Sequence, residues 1–158
     1  MLRIGLVVAF GLHILAAAQL TASNRHARGE RGQAKRDYVA ANFASRTMRW
    51  TGIIVAAFIV YHLLDLTYGV TNPDYVRGSV YDNMVASFER VPVAAFYILA
   101  NVLLGVHIFH GAWSMFQSLG INNPRFNLWR RYFAFGFAAL IVVGNVSMPL
   151  AVQLGIVS

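Results

Sequence analysis

Residues 44–65 read Ala44-Ser45-Arg46-Thr47-Met48-Arg49-Trp50, then Thr51-Gly52-Ile53-Ile54-Val55-Ala56-Ala57-Phe58-Ile59-Val60-Tyr61-His62-Leu63-Leu64-Asp65. A basic, hydroxyl-bearing entrance marked by a tryptophan leads into an apolar run. Arg49 and Trp50 have the character of interface anchors, because an indole and a guanidinium prefer the headgroup zone to hydrocarbon. His62 is different. An ionisable group well inside an apolar run is costly in a bilayer, and it points to a function and a partner. The composition of the whole chain agrees with a membrane reading. It has 158 residues, 58% hydrophobic and 12% charged, with a mean hydropathy of +0.54. Several spans of about 20 residues fit in that length, with no room for a separate soluble domain.

Outward from 44–65, three more apolar runs appear, at 4–20, 93–116 and 132–150. Continuous apolarity without alternation means helices, and lipid admits only helices or closed barrels. The sequence therefore predicts an all-α transmembrane bundle of four membrane-spanning helices, about 3–22, 47–68, 92–117 and 130–152, in a single domain 1–158. Basic loops at 23–46 and 118–129 join them. The segment 69–90 holds turn dipeptides and a short amphipathic helix around 81–88. Pro92 opens the third helix, where proline is tolerated, and Pro149 interrupts the fourth run late. A cleaved signal peptide is an alternative reading of the first run.

The net charge of +7 is no nucleic-acid signal, because the basic residues sit in loops between apolar runs. Counted between the apolar runs, the segments 21–49, 69–90 and 117–131 carry seven, two and three basic residues. Positive-inside then places the first and third loops in the cytoplasm and both termini outside. The absence of cysteine excludes disulfides, a Cys-based haem attachment and an iron–sulfur cluster ligated by this chain's own thiolates.

Five histidines remain. At ~1.5 Å per residue, His13 on the first helix lies roughly 13 Å from the inner face, and His107 on the third roughly 15 Å. Two histidines at one depth on two helices suit axial ligation of a b-type haem in a bundle core. The competing reading is an interhelical hydrogen bond. His62 lies ~18 Å from that face, nearer the outer half, with no partner at its depth in this chain. His110 follows His107 at i+3, on the same side of its helix. His26 reads as a solvated loop residue, and Asn101 as packing glue. Gly11, Gly105 and Gly111 are small residues that would let a macrocycle approach. Ser45, Arg46, Arg49 and Trp50 supply a hydroxyl, guanidinium donors and an aromatic wall, which suit a quinone headgroup. Anchoring to lipid phosphate is the alternative for the same residues.

Residues 46–65, quoted above, and Leu103-Leu104-Gly105-Val106-His107-Ile108-Phe109-His110-Gly111-Ala112-Trp113-Ser114-Met115-Phe116-Gln117-Ser118-Leu119-Gly120-Ile121-Asn122 resemble the cytochrome b membrane-anchor subunit of succinate dehydrogenase and fumarate reductase, in the single-anchor form of actinobacteria and bacilli. The resemblance implies a five-helix anchor in the bacterial cytoplasmic membrane, with up to two haems b and four histidine ligands. It implies an iron–sulfur subunit and a flavoprotein subunit docked on the cytoplasmic loops, and quinone as the electron acceptor. His13 and His107 take the positions of the pair for the haem near the iron–sulfur subunit, and His62 that of a ligand to the distal haem. The partner of His62 belongs to the family's first helix, which is missing from this sequence and which a small membrane subunit would supply. A helix bearing cysteines there would allow a Rieske-like iron–sulfur centre shared with a partner subunit. Two other readings are a haem b anchor for a different quinone-linked dehydrogenase, and a haem-free anchor whose histidines serve packing or protons.

Overall fold

The computed structural model describes residues 2–27, 43–121 and 123–158. Five helices account for most of them: α1 (Leu2–Ala27), α2 (Phe43–His62), α3 (Val80–Glu89), α4 (Val91–Ser118) and α5 (Pro124–Gln153). No strand occurs among the described residues. Four helices are long and apolar enough to cross a membrane, as the four apolar runs predict: α1, α2 with its continuation, α4 and α5. The short amphipathic helix expected around 81–88 is α3. The chain divides into two units, Met1–Ala40 and Ala41–Ser158. The described part of the first is α1 alone. The second is a bundle of α2, α4 and α5, with α3 packed at one end.

α4 and α5, at 28 and 30 residues, are ~42 and ~45 Å long, well beyond a hydrocarbon core of ~30 Å. α5 begins at Pro124, six residues earlier than hydropathy alone places it. The reason is local. Asn123 caps the helix by accepting the Arg125 N–H at 3.0 Å, and Pro124 supplies a preset φ in the first turn. Residues 124–129 of the predicted loop 118–129 are therefore helix, and Arg125, Arg130 and Arg131 all lie on the first turns of α5. One of them, Arg130, is buried and folds back to the α4–α5 turn. It donates to the Ile121 carbonyl at 2.7 Å and to the Asn127 side chain. A cation at the C-terminal end of α4 is favourably placed against the helix dipole. At the other end of α5, Pro149 does not stop the helix, which runs on to Gln153.

Two seams hold the bundle. Along α2, Thr51, Val55 and Phe58 are buried, and His62 continues the same 3–4 spacing on that face. This face meets α4, where Thr51 contacts His107 and Phe58 contacts Tyr97. The α4–α5 seam closes on Gly105. A Cβ there would lie 2.3 Å from Val142 Cγ2, so only glycine allows this approach. Gly105 thus serves helix packing rather than the approach of a macrocycle. Nearby, Asn145 donates to Asn101 Oδ1 at 2.9 Å, which makes Asn101 the interhelical glue that the sequence suggests. The apolar core gathers at the α3 end, around Phe58, Val85, Phe88, Tyr97, Ala100 and Val152.

Candidate functional site

His107 is seated on α2. Its Nδ1 lies 3.2 Å from Thr51 Oγ1. Its Cε1 lies 3.3 Å from the point where a Cβ on Gly52 would stand. The dipeptide Thr51-Gly52 thus supplies one polar contact and an open edge for the ring. A larger residue at position 52 would press on the imidazole directly. Thr51 is buried, and its hydroxyl also reaches the carbonyls of Thr47 and Met48 at 3.2 and 3.0 Å.

His110 follows one turn along α4 and is 4% exposed. Its Nε2 is buried and meets no hydrogen-bond partner among the described residues. Native interiors rarely leave a buried ring nitrogen so, and the exceptions point to function or to a group not yet in place. The sequence singles out His110 only by its spacing to His107. Its burial comes from the tertiary structure.

His62 lies at a different level. Eleven residues of α2 separate it from Thr51, which is ~16 Å along the axis. It is half-buried and stands beside the rings of Phe58 and Tyr97, with both centroid distances at 6.0 Å. His13 sits near the middle of α1 and therefore in the other unit. His26 falls on the last turn of α1 rather than in a loop, and it is exposed.

The residues suggested for a quinone headgroup begin α2. Arg49 and Trp50 are exposed, Trp50 at 71%, and both lie off the face that α2 turns to α4. The side chains of Ser45 and Arg46 lie outside the described residues. The part of this constellation that is described forms an open surface, which a second element would have to wall to make a cleft.

A further constellation escapes the reading of the sequence. Asp65 is fully buried in the π-helical turn Leu63–Thr67 that extends α2. Its carboxylate accepts from Arg90 at 2.8 Å, Ser87 at 2.6 Å, Tyr97 at 3.0 Å and Thr71 at 3.1 Å. Arg90 closes the ion pair and also donates to the Thr71 carbonyl. Next to it, the buried pair Asn72 and Asn83 stitches the 68–79 segment to α3. Asn83 exchanges hydrogen bonds with both backbone groups of Val76, and Asn72 donates to the Asn83 carbonyl. At Gly69, φ is +71° and Tyr75 occupies the space of a side chain. A signal for Asp65 was present, since it is an acid at the end of an apolar run three residues from His62. The rule that singles out His62 applies to it equally.

A family model, described as the succinate dehydrogenase/fumarate reductase transmembrane subunit, matches residues 40–146. The chain belongs to that family. The matched segment spans more than half of the chain and includes His62, His107 and His110, together with the Thr51-Gly52 seat. No curated protein and no solved structure is significantly similar to the chain. Within a succinate dehydrogenase/fumarate reductase anchor, four apolar helices make this a multi-pass membrane protein. Membership also implies association with the catalytic subunits of such an enzyme.

Proposed function

We propose that this chain carries electrons between a docked iron–sulfur subunit and membrane quinone, in a bacterial succinate:quinone oxidoreductase. The observation that carries the reading is His107, seated on Thr51-Gly52 inside the segment that defines the family. The residues suit a haem b. An imidazole whose Nδ1 faces a hydroxyl would hold a haem iron through its other nitrogen, and no thiolate is required. His107 and His13 would hold the haem from two helices, with His62 and His110 as further candidate ligands. A bound haem would supply a one-electron relay through the low-dielectric part of the membrane. The protein's own part is to fix the imidazoles, exclude water and present the bundle to its partners.

Arg49 and Trp50, with Ser45 and Arg46, would form one wall of the quinone site, the facing wall coming from the iron–sulfur subunit or from another helix. The excess of basic residues in the first and third loops supports a cytoplasmic position for those loops and for the iron–sulfur and flavoprotein subunits docked there. The flavoprotein and iron–sulfur chemistry would lie wholly in those partners. The test is a dithionite-reduced minus oxidised spectrum of the gently purified complex, with haem quantified per copy of the chain. A b-type, bis-histidine spectrum is expected, and His107→Ala should lose one haem per chain. A full haem complement in that variant would remove His107 from the ligand set. An active wild-type complex without haem would restrict the chain to anchoring and quinone binding.

A further inference from the structure

The Thr51 hydroxyl has one proton and three neighbours. Two are backbone carbonyls, of Thr47 at 3.2 Å and Met48 at 3.0 Å. The third is His107 Nδ1 at 3.2 Å. A carbonyl oxygen can only accept, so both compete for the single hydroxyl proton. Threonine in a helix commonly satisfies itself this way, on the carbonyl three or four residues back. Once that proton is committed to the backbone, Oγ1 can only accept from the ring. A hydrogen bond at Nδ1 then requires the proton on Nδ1, which places the lone pair of the neutral imidazole on Nε2. Thr51 is buried, so water does not take over either role. Gly52 keeps the approach open, since a Cβ there would already stand 3.3 Å from His107 Cε1.

We infer that Thr51 is a positioning residue that selects the Nδ1–H tautomer of His107 and so presents Nε2 for metal ligation. This rests on the reading of His107 as a haem ligand. Such a bond orients the ring and also raises the basicity of the ligating nitrogen, which favours the ferric over the ferrous state. A purely structural α2–α4 contact would do neither.

The experiment compares wild type, Thr51→Val and Thr51→Ser in the purified complex. Valine keeps the shape and removes the hydroxyl, whereas serine keeps the hydroxyl. In a haem-loaded complex, Thr51→Val should raise the reduction potential of the His107 haem. It should also speed haem transfer to apomyoglobin by about 10- to 100-fold, the usual cost of losing such a partner. Thr51→Ser should restore both. A potential that stays put in Thr51→Val, whatever happens to stability, overturns the inference. If the wild-type complex carries no haem, the haem reading has failed by itself, and the tautomer is read directly from the 15N shifts of the His107 ring in labelled complex. An Nδ1–H ring in wild type and Thr51→Ser, lost in Thr51→Val, upholds the role of Thr51. An Nε2–H ring in wild type overturns it.

Discussion

The two ends of the α2–α4 seam treat their buried polar groups in opposite ways. At the α3 end, the Asp65 carboxylate is met by four donors from α3, α4 and the connecting segments. At the other end, the Thr51 hydroxyl of α2 reaches His107, and the buried His110 Nε2 has no hydrogen bond among the described residues. Sheltering a carboxylate costs several kcal/mol, recovered only by near-complete hydrogen bonding. The α3 end is built that way, which is the mark of a structural clamp. A ring nitrogen left without a hydrogen bond inside the bundle stabilises nothing, and its retention makes sense where something is to be bound. Under the proposed haem reading, one end serves stability and the other cofactor chemistry.

Asp65→Ala is the strongest way to break that division. It leaves Arg90 without its counter-charge and three further donors without an acceptor, and should cost about 3–5 kcal/mol. Unfolding of the purified anchor in mild detergent measures the loss. Haem per folded chain should stay unchanged, and selective loss of haem or of quinone reduction with stability intact would move Asp65 to the functional side. Gly105→Ala comes next. Its Cβ would meet Val142 Cγ2 at 2.3 Å, an overpacking that costs about 1–3 kcal/mol. Val142→Ala in the same chain should recover most of it. A haem defect that Val142→Ala leaves untouched would return Gly105 to the role of admitting a macrocycle. Asn145→Ala removes the donor to Asn101 Oδ1, for about 0.6 kcal/mol and at most about 1.7.

These expectations depend on features that differ in how far the sequence discloses them. The four spans are legible because continuous apolarity is a property of each segment alone. His62 and His107 are legible for the same reason, as ionisable groups inside such runs. The Asp65 cluster is not, because Thr71, Ser87, Arg90 and Tyr97 lie 6 to 32 positions away along the chain. Only the return of α3 and α4 beside α2 brings them together. The start of α5 was misplaced because arginines weigh against a membrane helix, although Asn123-Pro124 carries a capping signal that hydropathy ignores. Gly105 stands out in the sequence as a small residue near His107, whereas Gly52, ten positions from His62, does not. The fold separates them, one against Val142 and the other against the His107 ring.

That separation yields the finest test of the comparison, Gly52→Ala. The added methyl would stand 3.3 Å from His107 Cε1, so the ring has to yield by a few tenths of an ångström. Its neighbour is one side chain that can tilt, whereas Gly105 faces a β-branched residue at 2.3 Å. The stability loss should therefore fall below the ~1 kcal/mol floor of an overpacked core. The ligand geometry should register the change even so, as a shifted haem band and faster haem loss at nearly unaltered unfolding. Gly105→Ala should show the reverse, a clear loss of stability with an unchanged spectrum per haem. If both variants only lower stability, the His107 end is packed as a structural seam like the other, and the division between the two ends fails. If Gly52→Ala moves the spectrum alone, the imidazole on Thr51-Gly52 is held for the cofactor it meets rather than for the helix behind it.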